Sequence, residues 1–174
     1  MIPPCDRPAA LATHAGGEPF YPGSRPPRVI LLVEDSEDDA DLTLRAFRNS
    51  GVPCKIVLAQ DGKQALDYIF ARGDWVDRDA HLLPTLVLLD LKLPCLGGLE
   101  VLRQLRQSPK TDHLPIVVMS CSNEITDIQA SYTLGANSYI RKPVDFVEFE
   151  ETVELIGRYW LAVNQTASEK DGPL

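Results

Sequence analysis

Three carboxylates and one ammonium group could carry chemistry in this chain: Glu34 and Asp35 after the run VILLV, Asp90 after LVLL, and Lys142 before Pro143. The acids follow short apolar runs, Ser120 follows another, IVVM, and Lys142 follows SYIR. Two ionised carboxylates about 4 Å apart repel by roughly 4 kcal/mol at an effective dielectric near 20, so Asp35 and Asp90 brought together need a counter-charge. Oxygen-only donors select a hard divalent cation, and one or two carboxylates with retained water suit magnesium. An aspartate beside such a cation can act as a nucleophile toward a phosphoryl donor. Asp90 is the candidate, because the loop after it is broken by Pro94, Gly97 and Gly98. The metal, Lys142 and the Ser120 hydroxyl would then neutralise phosphoryl oxygens, which is most of what phosphoryl transfer requires.

For these residues to meet, the elements between them must wind the chain in one sense. RVILLV (28–33), KIVLA (55–59), TLVLLD (85–90), PIVVMS (115–120) and SYIRK (138–142) read as five strands, mostly apolar on both faces as in a covered parallel sheet. Helical spacing predicts helices over 37–49, 62–72, 98–107, 123–133 and 145–162, the first capped by Ser36 and ended by Gly51. Five βα units imply right-handed crossovers and a doubly wound α/β sheet, which binds ligands outside the carboxyl ends of its strands. On the last helix Phe146, Phe149, Val153, Ile156 and Trp160 form the expected core stripe, while Leu155, Tyr159 and Ala162 recur at helical spacing on another face.

Composition narrows the function classes. A chain of 174 residues, 44% hydrophobic, suits one domain with a substantial core. A formal charge of −8 and a pI near 4.8 argue against nucleic acid and anionic membranes as partners. No apolar run approaches the roughly 20 residues that span a bilayer, so a cytoplasmic location is expected. Residues 1–27 hold seven of the fourteen prolines and read as an N-terminal tail, with 28–162 as the domain and 163–174 as a C-terminal tail. Cys5, Cys54, Cys95 and Cys121 form no CxxC pair, which suggests neither zinc nor a disulfide framework, and reduced thiols are expected. His14, His81 and His113 lack metal-ligand spacing and are expected at the surface. Glu37, Asp38, Asp39 and Asp41 read as solvated acids that favour a helix start.

Taken in order, ED at 34–35, D-x-x-x-P-x-x-x-G from Asp90 to Gly98, MS at 119–120 and YIRKP at 139–143 resemble the receiver domain of two-component response regulators. The resemblance implies a flavodoxin-like sheet of order 2-1-3-4-5, with Asp90 as phosphoacceptor and Asp35 as a direct magnesium ligand. It also implies metal coordination by Asp90 and the Lys92 carbonyl, with Glu34 in support. Ser120 would be the switch hydroxyl, Tyr139 the rotating aromatic, and Lys142 the lysine that pairs with the phosphoryl group, across a Lys142–Pro143 bond that is typically cis. Glu34 stands where aspartate is commoner, and Cys121 where alanine is usual. The EDSEDDADLTLRAF opening, the long 71–84 segment and the absence of an output domain are similar to the small regulators that partner phytochrome-type histidine kinases. Such domains often pair through their last two helices and last strand, so Leu155 and Tyr159 are expected in a homodimer interface.

A haloacid-dehalogenase-like phosphatase also uses an aspartyl nucleophile, but it needs a second aspartate two residues on, where this chain has Lys92. A flavin carrier of this fold wants a phosphate-binding loop after the first strand, where EDSEDD would repel a phosphate.

Overall fold

The computed structural model describes residues 28–166, and the expected tail 1–27 lies outside them. Five strands, β1 (Val29–Val33), β2 (Lys55–Ala59), β3 (Leu86–Leu89), β4 (Ile116–Ser120) and β5 (Ser138–Arg141), form one parallel sheet in the order β2-β1-β3-β4-β5. Five helices connect and follow them: α1 (Glu37–Asn49), α2 (Gly62–Phe70), α3 (Gly98–Gln107), α4 (Ile125–Thr133) and α5 (Phe146–Gly157).

Strand alternation sorts the core into two layers. Ile30 and Leu32 face Phe47 of α1 and Phe149, Val153 and Ile156 of α5. Leu31 and Val33 face Leu66 and Ile69 of α2 and Val101, Leu102 and Leu105 of α3. Because both faces are covered, β3 is buried at all four positions and β4 at all five. Three helices are started by side chains that accept backbone N–H bonds. Ser36 accepts from Asp39, Asp61 from Gln64, and Asp145 from Val147 and Glu148.

The predicted α1 and α3 bounds match the structure, whereas α4 begins at 125 rather than 123. The α5 stripe needs correction. Phe146 is 40% exposed and lies under the Arg45 guanidinium, and Leu161 joins the buried set while Trp160 is only half-buried. The cause is a π-helical turn over Arg158–Val163, where Asn164 N–H bonds to the Tyr159 carbonyl five residues back. A spacing of five carries the stripe from Ile156 to Leu161 instead of Trp160. The thiol expectation is also corrected: Cys95 is disulfide-bonded, while Cys54 and Cys121 are free. The lack of a CxxC pair speaks to metal sites and does not exclude a bridge at Cys95. His81 and His113 are exposed, as expected. Among the described residues no helix is long and apolar enough to cross a membrane.

Candidate functional site

The carboxyl ends of four strands bring Glu34, Asp90, Ser120 and Lys142 to one edge of the sheet. All four are buried. Register sets this convergence: Val33 pairs with Leu89, and Leu89 with Val118, so the residues just beyond β1 and β3 and the end of β4 arrive together. Lys142 follows β5 and donates its own N–H to the Ser120 carbonyl at 2.9 Å, which extends the last ladder by one bond. The Lys142–Pro143 bond is not cis, contrary to the expectation, since the described residues contain no cis peptide. Continuation of the β4–β5 ladder is enough to aim the lysine inward.

Asp90 is held at both carboxylate oxygens. Its Oδ1 accepts from the Ser120 hydroxyl at 2.7 Å and the Lys92 N–H at 3.1 Å, and its Oδ2 accepts from Lys142 Nζ at 2.8 Å. Lys142 Nζ also donates to Glu34 Oε2 at 2.6 Å and Asp39 Oδ2 at 2.8 Å, so all three ammonium hydrogens have carboxylate acceptors. The backbone under Asp90 admits no side chain on α3. A Cβ at Gly98 would stand 2.1 Å from the Asp90 carbonyl oxygen, and the Gly98 N–H bonds to the Leu91 carbonyl. Glycine at 98 thus lets the first turn of α3 rest on the end of β3.

The electrostatics separate two acids that share one lysine. Burial raises the Asp90 carboxyl, but its bonds to Lys142, Ser120 and the Lys92 N–H outweigh burial and leave it below the ordinary range. Burial raises Glu34 further, to about 7, because Lys142 offsets it only in part and the charges of Asp90 and Asp39 push the same way. Among the described residues the Glu34 carboxylate has one other donor, the Ser36 N–H at 3.3 Å. For Lys142, burial lowers the ammonium, yet the bonds to Asp39, Asp90 and Glu34 prevail and hold it above its usual value. Three acids around one ammonium leave surplus negative charge.

That surplus and an all-oxygen donor set fit a hard divalent cation. Among the described residues, no three metal-ligating side chains are grouped closely enough to hold an ion by themselves. A cation retaining most of its water needs only one or two carboxylates, so the donor chemistry is compatible. Asp35 is exposed at the mouth of this edge, beside buried Glu34.

The remaining expected residues lie around the edge. Tyr139 donates from its hydroxyl to the Ser122 carbonyl at 2.9 Å, and its N–H bonds to the Tyr132 hydroxyl at 3.2 Å. Cys121 is exposed in the loop after β4. Leu155 on α5 and Tyr159 on the π-helical turn after it are 69% and 49% exposed, away from the buried stripe.

One residue escaped the sequence reading. Asp39 is no freely solvated helix-start acid, since its carboxylate bonds Lys142. Its spacing held the signal: Asp39 lies one residue before buried Ala40 and four before buried Thr43, at the margin of the inward face of α1.

Comparison with known proteins agrees with this architecture. The family described as the response regulator receiver domain matches residues 30–154. The probable methanogenesis regulatory protein FilR2 of Methanothrix harundinacea is 40% identical over 140 residues, spanning 80% of this chain and 88% of its own. Response regulator Rcp1 of Synechocystis is 35% identical over 138 residues, spanning 79% and 92%. A manganese-bound form of Rcp1 superposes with a TM-score of 0.75 at 33% identity, covering 80% of this chain and 99% of that one. The phosphorylated cyanobacterial phytochrome response regulator RcpA superposes with a TM-score of 0.76 at 34% identity, covering 82% and 99%.

Proposed function

The chain belongs to the response regulator receiver family, and we propose that it works as a single-domain switch that takes a phosphoryl group from a histidine kinase onto Asp90. The family binds a divalent metal, and its members typically act as phosphoacceptor signalling proteins rather than enzymes. The observation that carries the reading is the double hold on Asp90, with the Ser120 hydroxyl on one oxygen and the Lys142 ammonium on the other.

A carboxylate kept ionised by those contacts is ready to attack phosphorus. A new bond forms from an Asp90 oxygen to phosphorus while the bond from phosphorus to the histidine nitrogen breaks, and the nitrogen leaves with that electron pair. Lys142 and Ser120 then bond phosphoryl oxygens in place of the carboxylate. Asp35, Asp90 and the Lys92 carbonyl, with Glu34 in support, would hold magnesium, which would supply further positive charge there. Withdrawal of the Ser120 hydroxyl toward the new group frees space beside the loop that Tyr139 holds at Ser122, which links acceptor chemistry to the β5 face.

Similarity to RcpA, a cyanobacterial phytochrome response regulator, supports a phytochrome-type kinase as the donor. In this reading both partners are cytoplasmic. Residues 28–162 are the switch domain in this reading. The exposed Leu155 and Tyr159 support a homodimer through α5 and the π-helical turn after it. Intact mass after incubation with acetyl phosphate and magnesium tests the function: one phosphoryl group is gained by the wild type and none by Asp90→Asn. A wild type that gains no mass would end the proposal. Sedimentation tests the dimer, with Leu155→Glu expected to run as a folded monomer.

A further inference from the structure

We propose that Asp39 is a positioning residue that keeps its hold on Lys142 throughout phosphoryl transfer and aims one ammonium hydrogen at the incoming group. The inference rests on the phosphoacceptor reading above and concerns a residue that reading does not use.

Lys142 Nζ donates to Glu34, Asp39 and Asp90 at 2.6, 2.8 and 2.8 Å, one acceptor for each ammonium hydrogen. These three bonds have different fates. When phosphorus bonds to an Asp90 oxygen, the carboxylate becomes an acyl phosphate, and its negative charge is replaced by that of the phosphoryl oxygens. The hydrogen that pointed at Asp90 Oδ2 passes to a phosphoryl oxygen, and the bonds to Glu34 and Asp39 stay. An ammonium is tetrahedral, so two held hydrogens fix the direction of the third. Glu34 and Asp39 therefore aim Lys142 before the group arrives and keep it aimed afterwards, which preorganises the donor.

Of the two holders, Asp39 is the one with no second task. Glu34 adjoins Asp35 and would also support magnesium, so a bound cation competes with the lysine for it. Among the described residues the Asp39 carboxylate bonds Lys142 alone. Its place is set by the backbone, whose N–H donates to the Ser36 hydroxyl at 3.3 Å and whose carbonyl accepts from the Thr43 hydroxyl at 2.8 Å. Neither bond uses the carboxylate, so a change at the side chain leaves the helix start in place. Burial of Ala40, Leu44 and Phe47 fixes α1, and with it Asp39, on the domain. Charge and aim act in opposite directions at this position. The negative charge of Asp39 repels an anionic phosphoryl group, whereas its oxygen directs the ammonium toward one. Asparagine removes the charge and keeps an oxygen acceptor, and alanine removes both. Comparing the two variants isolates the aim.

Beryllofluoride, a tetrahedral stand-in for the phosphoryl group, gives the test. Its affinity is measured in the presence of magnesium for the wild type, Asp39→Asn and Asp39→Ala. Asp39→Ala is expected to bind about fivefold less tightly than Asp39→Asn, the scale of one hydrogen bond. A metal-free readout is hydrogen exchange at the Lys142 ammonium in chelator, followed at its side-chain nitrogen resonance, which should be faster in Asp39→Ala than in Asp39→Asn. A merely structural role for Asp39 would lower stability and leave both readouts equal in the two variants. A folded Asp39→Ala that binds as tightly as Asp39→Asn, or whose ammonium exchanges no faster, overturns the inference while leaving the phosphoacceptor reading intact. A wild type that binds no beryllofluoride removes the phosphoacceptor reading and this inference with it.

Discussion

Helices α1 and α4 leave the same edge of the sheet, yet they are attached in different ways. α1 buries Ala40, Thr43, Leu44, Ala46 and Phe47, and it packs against α5 as well as the sheet. α4 buries only Ser131, and Ile125 and Tyr132 on it are 63% and 52% exposed. What holds α4 near the site is mostly polar: Ser122 Oγ donates to Asp127 Oδ2 at 2.5 Å, and Tyr139 is bonded to Ser122 and Tyr132. Fully burying a large apolar side chain contributes roughly 1.5–3 kcal/mol, whereas a hydrogen bond contributes about 1 kcal/mol net and can be exchanged for water. The same edge thus joins a fixed helix, which carries Asp39, to one that can shift at little cost.

This contrast can be broken by mutation. Phe47→Ala removes a side chain that is 2% exposed and should lower stability by about 3–5 kcal/mol in urea unfolding. A loss below about 1 kcal/mol would show that α1 is not the fixed partner. Tyr139→Phe removes the bond to the Ser122 carbonyl and should cost about 1 kcal/mol, with faster amide exchange confined to the β4–α4 loop and α4. Exchange quickening equally in α1 would erase the distinction. Ile125→Ser, on the exposed face of α4, should change stability by no more than about 0.5 kcal/mol. A larger loss would reveal apolar packing on α4 that the contrast denies.

The same contrast explains what the sequence could reveal. Buried runs such as LVLL and IVVM are apolar at every position, so their strands were legible, and the acids at their ends were legible with them, while the strand order came from the family resemblance. Asp39 was not, because a helix-start acid and a lysine partner look alike in one dimension. Only the distance across 103 positions of sequence tells them apart. The α5 stripe was misplaced at its end for a related reason. A π turn is a change of period, and Trp160 fits a helical stripe as well as Leu161 until that turn is seen. Cys95 stands likewise, since one bridge leaves no spacing to read.

The 108 positions between Glu34 and Lys142 also bear on how the chain comes to be made. Synthesis proceeds from the N-terminus, so Glu34, Asp39 and Asp90 leave the ribosome before the lysine that neutralises them, and β5, which brings that lysine, is the last strand and lies at the edge of the sheet. Until then the nascent sheet carries three acids at one edge without their ammonium. Docking of β5 supplies the missing ladder and the missing charge together, so completion of the sheet and assembly of the site are one late event. A chain stalled before residue 142 lacks both the ammonium that joins these acids and the helix α5 that covers one face of the sheet.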